Sequence, residues 1–284
     1  MSQLFDWPEH FSIFLSYRVM KKIITRMPDI LMPLSFPELE FRAFALASIC
    51  FPMLMASEAT NDQKETKRHF DWSWQAVRYR YRSCAECNQE FKALLADSSQ
   101  LWQSGWGDEE LLYQLERRIY LFFASALSVF DSFAFCLYFL GSAIRPSEFL
   151  LISKPRKITR KQAAEAFSTV FPQTSISDLL TSLQSDPNLT TNDARFVNID
   201  AVRNVVGHRI SGRRVVRGWG TTHLDGTHTQ CREETWHLPG ATETLMFDEE
   251  MLQRHLDDIT NLLNPLVSAA RQFAELHHPA QVNP

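Results

Sequence analysis

Glycine is scarce in this chain, with nine residues among 284, or about 3% against about 7% in average proteins. Collagen-like chains and turn-rich β-proteins need glycine, so its scarcity excludes the first class and favours helices over the second. The composition of 45% apolar and 22% charged residues also excludes a disordered chain. A chain of this length forms one large domain or two modest ones.

No secretory signal is visible in the given sequence, since its first residues contain no basic segment followed by an apolar run. Its five cysteines form an odd, scattered set, which is typical of a reducing compartment. The most membrane-like stretch runs from Ile119 to Ile144, but Asp131 and several serines interrupt it, and an ionised aspartate is costly in lipid. We therefore expect a cytoplasmic protein without a membrane span.

A metal centre is not predicted either. Cys84-Ala-Glu-Cys87 is a single CxxC within a helical run, whereas a structural zinc site needs further ligands of the same kind. Two free thiols are the favoured interpretation, with a zinc site as the alternative. No cofactor is expected from any other motif.

The formal charge of −4 excludes a uniformly basic nucleic-acid binder but leaves room for a local basic site. One segment, residues 195–217, holds six arginines and one aspartate, a net charge of +5 that leaves −9 for the rest of the chain. This segment is the place where we expect a phosphate-bearing ligand to bind. Its arginines are Arg195, Arg203, Arg209, Arg213, Arg214 and Arg217.

Most of the chain has helical periodicity. Apolar spacing and capping signals predict helices at about 6–26, 35–57, 68–97, 108–143, 160–171 and 177–184, one ending near Arg209, and a last one at about 248–277. A polar linker is expected from Glu58 to Glu65 and a basic connector from Lys154 to Arg160. Asn264-Pro265 should kink or interrupt the last helix. The domains expected are a helical region over about 1–100 and a second domain over about 101–284.

Residues 207–240 break the helical pattern, because six of the nine glycines fall there. Asp225-Gly226 is a two-residue turn signal between Thr- and Val-containing segments, and predicts a β-hairpin insertion at about 210–246. The two histidines that flank this turn are interpreted as a solvated pair, with metal binding as the alternative. The turn would place Arg217 opposite Glu234, Trp219 opposite Arg232, Val215 opposite Trp236 and His223 opposite His228.

The segment Arg203-Asn204-Val205-Val206-Gly207-His208 carries the strongest functional signal. Arginine followed by histidine at this spacing is frequent by chance, but asparagine directly after the arginine makes the combination rarer. The bland alternative is a helix end with an exposed arginine and a histidine that interacts with the helix dipole.

This segment resembles the hallmark of the HEPN superfamily, an arginine followed by a polar residue and then a histidine four to six positions on. The resemblance covers about residues 109–278 and leaves 1–100 without a counterpart. It implies an all-α fold, a multi-helix HEPN-like bundle with a β-hairpin insertion after the motif helix and an N-terminal helical extension. It also implies that the acidic residue of the long upstream helix, Asp131, holds Arg203, the alternative being a water-exposed aspartate.

The implied activity is that of a metal-independent endoribonuclease. Histidine titrates near neutral pH, so His208 can move the proton of the 2′-hydroxyl, while Arg203 can stabilise the phosphate oxygens. Asn204 and His208 are four residues apart, so the amide can orient the imidazole. The expected catalytic residues are therefore Arg203, Asn204, His208 and Asp131, and the expected RNA-binding residues are Arg195, Arg209, Arg213, Arg214 and Arg217.

The expected partners follow from the same motif. Arg203 and His208 would lie about 140° apart around a helix, so Arg203 must curl round or the site must combine two chains. The resemblance implies the second arrangement, a homodimer, and a role as a toxin or abortive-infection effector with an antitoxin or regulatory protein as partner.

Other interpretations stay open. A non-catalytic HEPN-like module would bind RNA, a nucleotide or a protein, with His208 structural. In an all-helical interaction scaffold the motif would be a coincidence. The aromatic and basic residues from Trp72 to Arg82 can stack single-stranded bases or form core.

Overall fold

A computed structural model describes residues 61–101, 109–151, 153–186, 189–207, 213–223, 228–237, 244–246, 248 and 250–277. The predominantly helical fold class is confirmed, and the two helices predicted before residue 58 lie outside these residues. The described elements are α1 (Asn61–Leu101), α2 (Glu109–Ile144), a 3₁₀-helix (Pro155–Lys157), α3 (Arg160–Val170), α4 (Ile176–Ser182), α5 (Ala194–Gly207), β1 (Arg213–Thr222), β2 (His228–His237), β3 (Thr244–Met246) and α6 (Met251–Leu276).

Helices α1 and α2 form an antiparallel pair. In both, buried or half-buried residues recur at alternate spacings of three and four, which places them on one stripe of each helix. Early α1 meets late α2, since the Trp74 and Phe133 rings lie 6.0 Å apart, and Ser83 hydrogen-bonds Ser125 further along at 3.1 Å. The stripes consist of Phe70, Trp74, Val77, Tyr81, Cys84, Asn88 and Phe91 in α1 and of Leu115, Ile119, Phe122, Ala126, Val129, Phe133, Cys136 and Leu140 in α2.

Helix α1 begins earlier than the sequence predicts. The linker expected from Glu58 to Glu65 is wrong from Asn61 onward, because this polar stretch is the first turn of α1. Charge pairs spaced three and four residues apart stabilise the helix start: Lys67 Nζ lies 2.7 Å from Asp71, and Arg68 pairs with Glu65.

The domain boundary expected near residue 100 does not separate two cores. Helices α1 and α2 lie on either side of it and share one hydrophobic cluster. All the described residues belong to one compact unit, Phe36–Pro284.

Helix α6 covers the α1–α2 pair and runs antiparallel to α1. The Tyr81 and Thr260 hydroxyls are 2.5 Å apart, and Asn88 donates to the side chain of Gln253 at 2.8 Å. Pro265 lies inside α6 without interrupting it, so of the two predicted effects the interruption is wrong, and the kink stays a prediction.

An aromatic cluster joins the end of α2 to α3 and α6. The Phe149 ring lies 4.9 Å from Tyr138 and 5.8 Å from Phe167, and Phe167 in turn lies 5.3 Å from Phe273. Gly141 allows this packing, because a Cβ at that position would lie within 3.0 Å of the Phe149 ring. The short helix α3 is thereby fixed against the long helices.

The three strands form an antiparallel sheet in the order β1-β2-β3. The register differs by one residue from the one that an Asp225-Gly226 turn would set, because five residues connect Thr222 to His228. A shift of one residue changes every cross-strand partner. Arg217 is therefore opposite Glu233, Trp219 opposite Cys231, Val215 opposite Thr235 and His228 opposite Thr222.

One segment of the described residues has the length and apolar composition of a membrane-spanning helix. It is Tyr113–Ile144, and 61% of its most apolar part is buried inside the protein. The core helix of a soluble protein has the same composition, so this property alone does not identify a membrane span.

Candidate functional site

Helix α5 carries the motif and is fixed at its first turn. The backbone N–H of Arg195 donates to the side chain of Asp193 at 2.9 Å, which is the arrangement of a helix N-cap. Phe196, Ile199 and Val202 are buried at spacings of three residues, so one side of α5 faces the core. The Phe196 ring meets Phe130 of α2 edge-on at 5.4 Å.

Arg203 is exposed near the other end of α5, and Asn204 is half-buried. Nη1 of Arg203 donates to Oδ1 of Asn204 at 3.0 Å. This contact gives Asn204 a different role from the expected one, since its oxygen holds the guanidinium. Its NH₂ group is still a donor that a second partner can use.

His208, the residue expected to move protons, lies outside the described residues, as does Arg209. The described part of helix α5 runs as far as Gly207, so its predicted end near Arg209 lies outside the described residues. The 140° separation of Arg203 and His208 assumed one continuous helix through both. Because His208 lies outside the described residues, this separation stays a prediction.

Asp131 does not hold Arg203, and this expectation was wrong. Its side chain is 62% exposed, and its Oδ1 lies 3.1 Å from Nε of Arg160. Among the described residues Arg203 has no carboxylate within ion-pairing distance. The physical reason is topological: α3 begins beside the middle of α2, so Arg160 occupies the place that the sequence assigned to Arg203.

Arg160 is the residue that sequence reasoning missed. Besides its pair with Asp131, its guanidinium stacks 4.5 Å above the ring of Phe196, and its Nη1 is buried without a hydrogen-bond partner among the described residues. The side chain thus joins α2, α3 and α5. The only sign of Arg160 in the sequence was its place in a basic connector. Its two contacts could not be predicted because Asp131 and Phe196 are distant from it in the chain.

Arg195 is committed to the start of α5. Its Nε and Nη2 lie 3.0 and 2.7 Å from the two carboxylate oxygens of Asp193. These hydrogen bonds lower the pKa of Asp193, whereas burial raises the pKa of nearby Asp258. A guanidinium bound on both arms has little capacity left for RNA phosphates.

Three of the other arginines expected to bind RNA lie on β1. The backbone partners of Arg213, Arg214 and Arg217 on β2 are His237, Trp236 and Glu233. Their place in the chain, directly after α5, keeps them close in sequence to the motif.

Comparisons with known proteins find no counterpart. A scan against protein-family models matches none of them, and searches of curated proteins and of solved structures find no match either. The resemblance to HEPN proteins therefore depends on the segment from Arg203 to His208.

The aromatic run of α1 divides between core and surface. Trp74 is buried, whereas Trp72 is 56% and Tyr79 is 62% exposed. Arg68 lies 5.0 Å from the Trp72 ring, and Gln75 donates to the Tyr79 hydroxyl at 2.8 Å. Both exposed rings thus have a contact within α1, and both remain accessible to solvent.

The CxxC cysteines are buried free thiols. Burial raises the pKa of both Cys84 and Cys87, so they stay protonated and unreactive at neutral pH. Within the described ranges no group of three or more histidine, cysteine or acidic side chains is placed to hold a metal ion.

A cleft of about 370 Å³ opens between α3 and α4, away from the motif. Three of the hydroxyls that line it donate to carbonyls of the helices themselves: Thr169 to Glu165 at 2.9 Å, Ser177 to Ala164 at 3.1 Å and Thr181 to Ser177 at 2.8 Å. Its lining includes neither Arg203 nor Asn204. Three of the four hydroxyl side chains that line the cleft, all but Ser168, thus donate their protons to the protein itself.

Proposed function

We propose that this chain is a metal-independent endoribonuclease of the HEPN type. The observation that carries the proposal is the exposed guanidinium of Arg203, which is held by the neutral amide of Asn204. Most other arginines on the described surface have a carboxylate beside them. Arg203 keeps its charge uncompensated, and its remaining N–H groups suit the oxygens of a phosphate.

In the proposed reaction the 2′-hydroxyl of a ribose attacks the adjacent phosphorus. A base removes the hydroxyl proton, the bond from phosphorus to the 5′-oxygen of the next nucleotide breaks, and an acid protonates that oxygen. The products are a 2′,3′-cyclic phosphate and a 5′-hydroxyl. His208 performs one or both proton transfers, and Arg203 stabilises the crowded phosphate oxygens.

The packing of α5 supports this assignment of roles. The buried side of the helix, with Phe196, Ile199 and Val202, fixes the backbone from which Arg203 and Asn204 project. A guanidinium on a fixed backbone, oriented by a neighbouring amide, loses little entropy when it binds a phosphate. Arg203 and Asn204 thus act together as one phosphate-binding group.

Arg203→Gln tests the proposal with a change that removes the positive charge and leaves a shorter, neutral polar side chain. We expect cleavage of single-stranded RNA, measured in excess EDTA, to fall about 100-fold, because one donor to a developing charge is lost. Arg271→Gln is the matched control, since Arg271 is an exposed arginine of α6 that pairs with Glu275 at 2.7 Å. Wild-type cleavage products should carry 2′,3′-cyclic phosphate ends.

Two results would overturn the proposal: equal cleavage by wild type and Arg203→Gln, or no cleavage by wild type. If the wild type bound RNA without cleaving it, the non-catalytic HEPN-like module would be the correct description. The role of toxin or abortive-infection effector, with an antitoxin or regulatory protein as partner, is part of the same proposal, and so is a cytoplasmic homodimer.

A further inference from the structure

A basic segment, residues 154–161, concentrates positive charge; it consists of the connector that precedes α3 and the first two residues of that helix, and we call the whole segment the connector from here on. It contains Lys154, Arg156, Lys157, Arg160 and Lys161 and no acidic residue. Apart from Arg160 these side chains are exposed, and among the described residues none of the four has a carboxylate within ion-pairing distance. The connector is thus a surface of uncompensated charge on a chain that is acidic overall.

Most basic side chains elsewhere on the described surface are neutralised locally, with Arg203, Lys64 and Arg117 among the exceptions. Exposed ion pairs of this kind contribute little to stability, but each one cancels the field of its lysine or arginine. The contrast sets the connector apart from an ordinary solvated surface. The neutralised residues include those of the pairs Lys67–Asp71, Arg68–Glu65, Arg82–Glu86, Lys92–Glu250, Arg145–Glu148, Arg254–Asp248 and Arg271–Glu275.

The backbone of the connector is ordered by its own hydrogen bonds. The N–H of Lys157 donates to the carbonyl of Lys154 at 2.9 Å, and that of Ile158 to Pro155 at 3.1 Å. Thr159 and Gln162 then form a capping box that starts α3, and Ile158 packs against the core. The cations therefore project from a fixed backbone, which lowers the entropy cost of binding a ligand with many charges.

The last part of the connector touches the motif helix. Arg160 stacks on Phe196 of α5, and Arg203 follows Phe196 by seven residues. Seven residues are close to two helical turns, so Phe196 and Arg203 lie on the same side of α5, about 10.5 Å apart along the helix axis. Arg160 therefore places the connector against the side of α5 that also carries Arg203, two helical turns away.

We propose that the connector binds the phosphate backbone of single-stranded RNA and holds the strand on which Arg203 acts. Several cations on one ordered segment fit a ligand with regularly repeated negative charges better than they fit a single small anion. The identity of the polyanion as RNA rests on the proposed function. The Arg160 guanidinium, tied to Asp131 and Phe196, serves to position the connector against α5.

The test measures RNA binding by salt titration in a His208→Ala background, so that cleavage does not consume the ligand. The test variant is the quadruple variant Lys154→Gln/Arg156→Gln/Lys157→Gln/Lys161→Gln. We expect it to make the negative slope of log K against log salt shallower by about 3, since each lost phosphate contact contributes about 0.7. The Kd of the quadruple variant divided by the Kd of the His208→Ala parent should then decrease about 50-fold as salt rises from 50 to 200 mM.

A pair of double variants supplies the matched control. Lys154→Gln/Arg156→Gln removes one lysine and one arginine from the connector, and Lys64→Gln/Arg117→Gln removes the same two types from exposed positions of α1 and α2. The connector double should lower the slope by about 1.4, as two lost phosphate contacts would, and the control double should leave it unchanged. An unchanged slope for the connector variants, or an equal loss for both doubles, would overturn the proposal.

Two further readouts separate this proposal from its alternatives. Binding to vesicles that contain phosphatidylserine, lost in the connector variants while RNA binding persists, would overturn it in favour of a membrane surface. A wild type that binds RNA through the connector without cleaving it would contradict the nuclease and not the connector. If the connector variants cleaved RNA as well as the wild type does, the proposed role of the connector would be contradicted and the proposed nuclease activity would not.

Discussion

His208→Ala is expected to lower RNA cleavage by about 10²- to 10⁴-fold, the usual contribution of a general acid or base. The ordinary pKa of histidine, near 6.5, suits proton transfer at neutral pH, and no other residue of the motif titrates there. The measurement is kcat/KM on single-stranded RNA in excess EDTA. RNA binding should change far less than cleavage, because the phosphate contacts of Arg203 and the connector remain.

His223→Ala is the control for a general effect of removing a histidine, since His223 is exposed beyond the end of β1. It should retain wild-type cleavage. The pH profile of kcat/KM adds a second readout: the wild type should show a limb near neutral pH that the residual activity of His208→Ala lacks. The same profile in both proteins would show that the titrating group is not His208.

Co-expression of Arg203→Gln with His208→Ala decides whether one site uses two chains. If each site takes Arg203 from one protomer and His208 from the other, a mixed dimer has one complete site. Half of randomly formed dimers are mixed, so about one quarter of wild-type activity should return. If Arg203 and His208 of one site come from the same protomer, no activity would return.

Several helices could be predicted from the sequence because their signals are local. The apolar stripe of α2 and the capping residues of α3 depend on residues that are close together in the chain. The helices predicted at 108–143 and 160–171 agree with the structure within a few positions. The start of α1 was missed because Asn61 to Glu65 is polar throughout, and its charge pairs stabilise a helix without adding an apolar stripe.

The candidate site was less predictable because its decisive contacts are distant in sequence. Nothing in the sequence around Asp131 indicates whether Arg160 or Arg203 is its partner. The partner is decided by the position at which the start of α3 packs against α2. The pairing of β1 with β2 failed for a related reason. Asp225-Gly226 is a sound turn signal, yet the chain uses a longer connection, and one residue of difference changes every partner.

The bond between Arg203 and Asn204 could not be predicted either, although both residues were identified. Neighbouring residues of a helix point about 100° apart, and only the length and rotamer of the arginine bring Nη1 to the amide oxygen. The consequence is functional. A carboxylate at this place would have compensated the charge of Arg203, whereas an amide orients the guanidinium and leaves its charge available to phosphate.

A buried histidine near the start of α6 makes the stability of this fold sensitive to acid. His255 is 6% exposed, its ring meets that of Phe123 edge-on at 5.0 Å, and its Nδ1 has no hydrogen-bond partner among the described residues. Burial, with a smaller contribution from Arg254, lowers the pKa of His255 to about 4. The folded protein therefore holds this side chain neutral where the unfolded chain protonates it.

His255→Leu should remove this acid sensitivity. Between about pH 6.5 and 4 the unfolded state binds a proton that the folded state does not, so stability falls as pH falls through that window. The wild type should lose about 2 kcal/mol from this group between pH 7.5 and 5, with a limit of about 3 kcal/mol at lower pH.

Urea unfolding at a series of pH values measures this difference between wild type and His255→Leu. Carboxylates such as Asp193 titrate in both proteins and cancel in the comparison. His277→Gln is the control, because burial also lowers the pKa of His277 but its ring is only partly covered. Its pH dependence should stay close to that of the wild type. Parallel curves for wild type and His255→Leu would show that His255 is protonated equally in both states, and that its burial does not control the acid stability of the bundle.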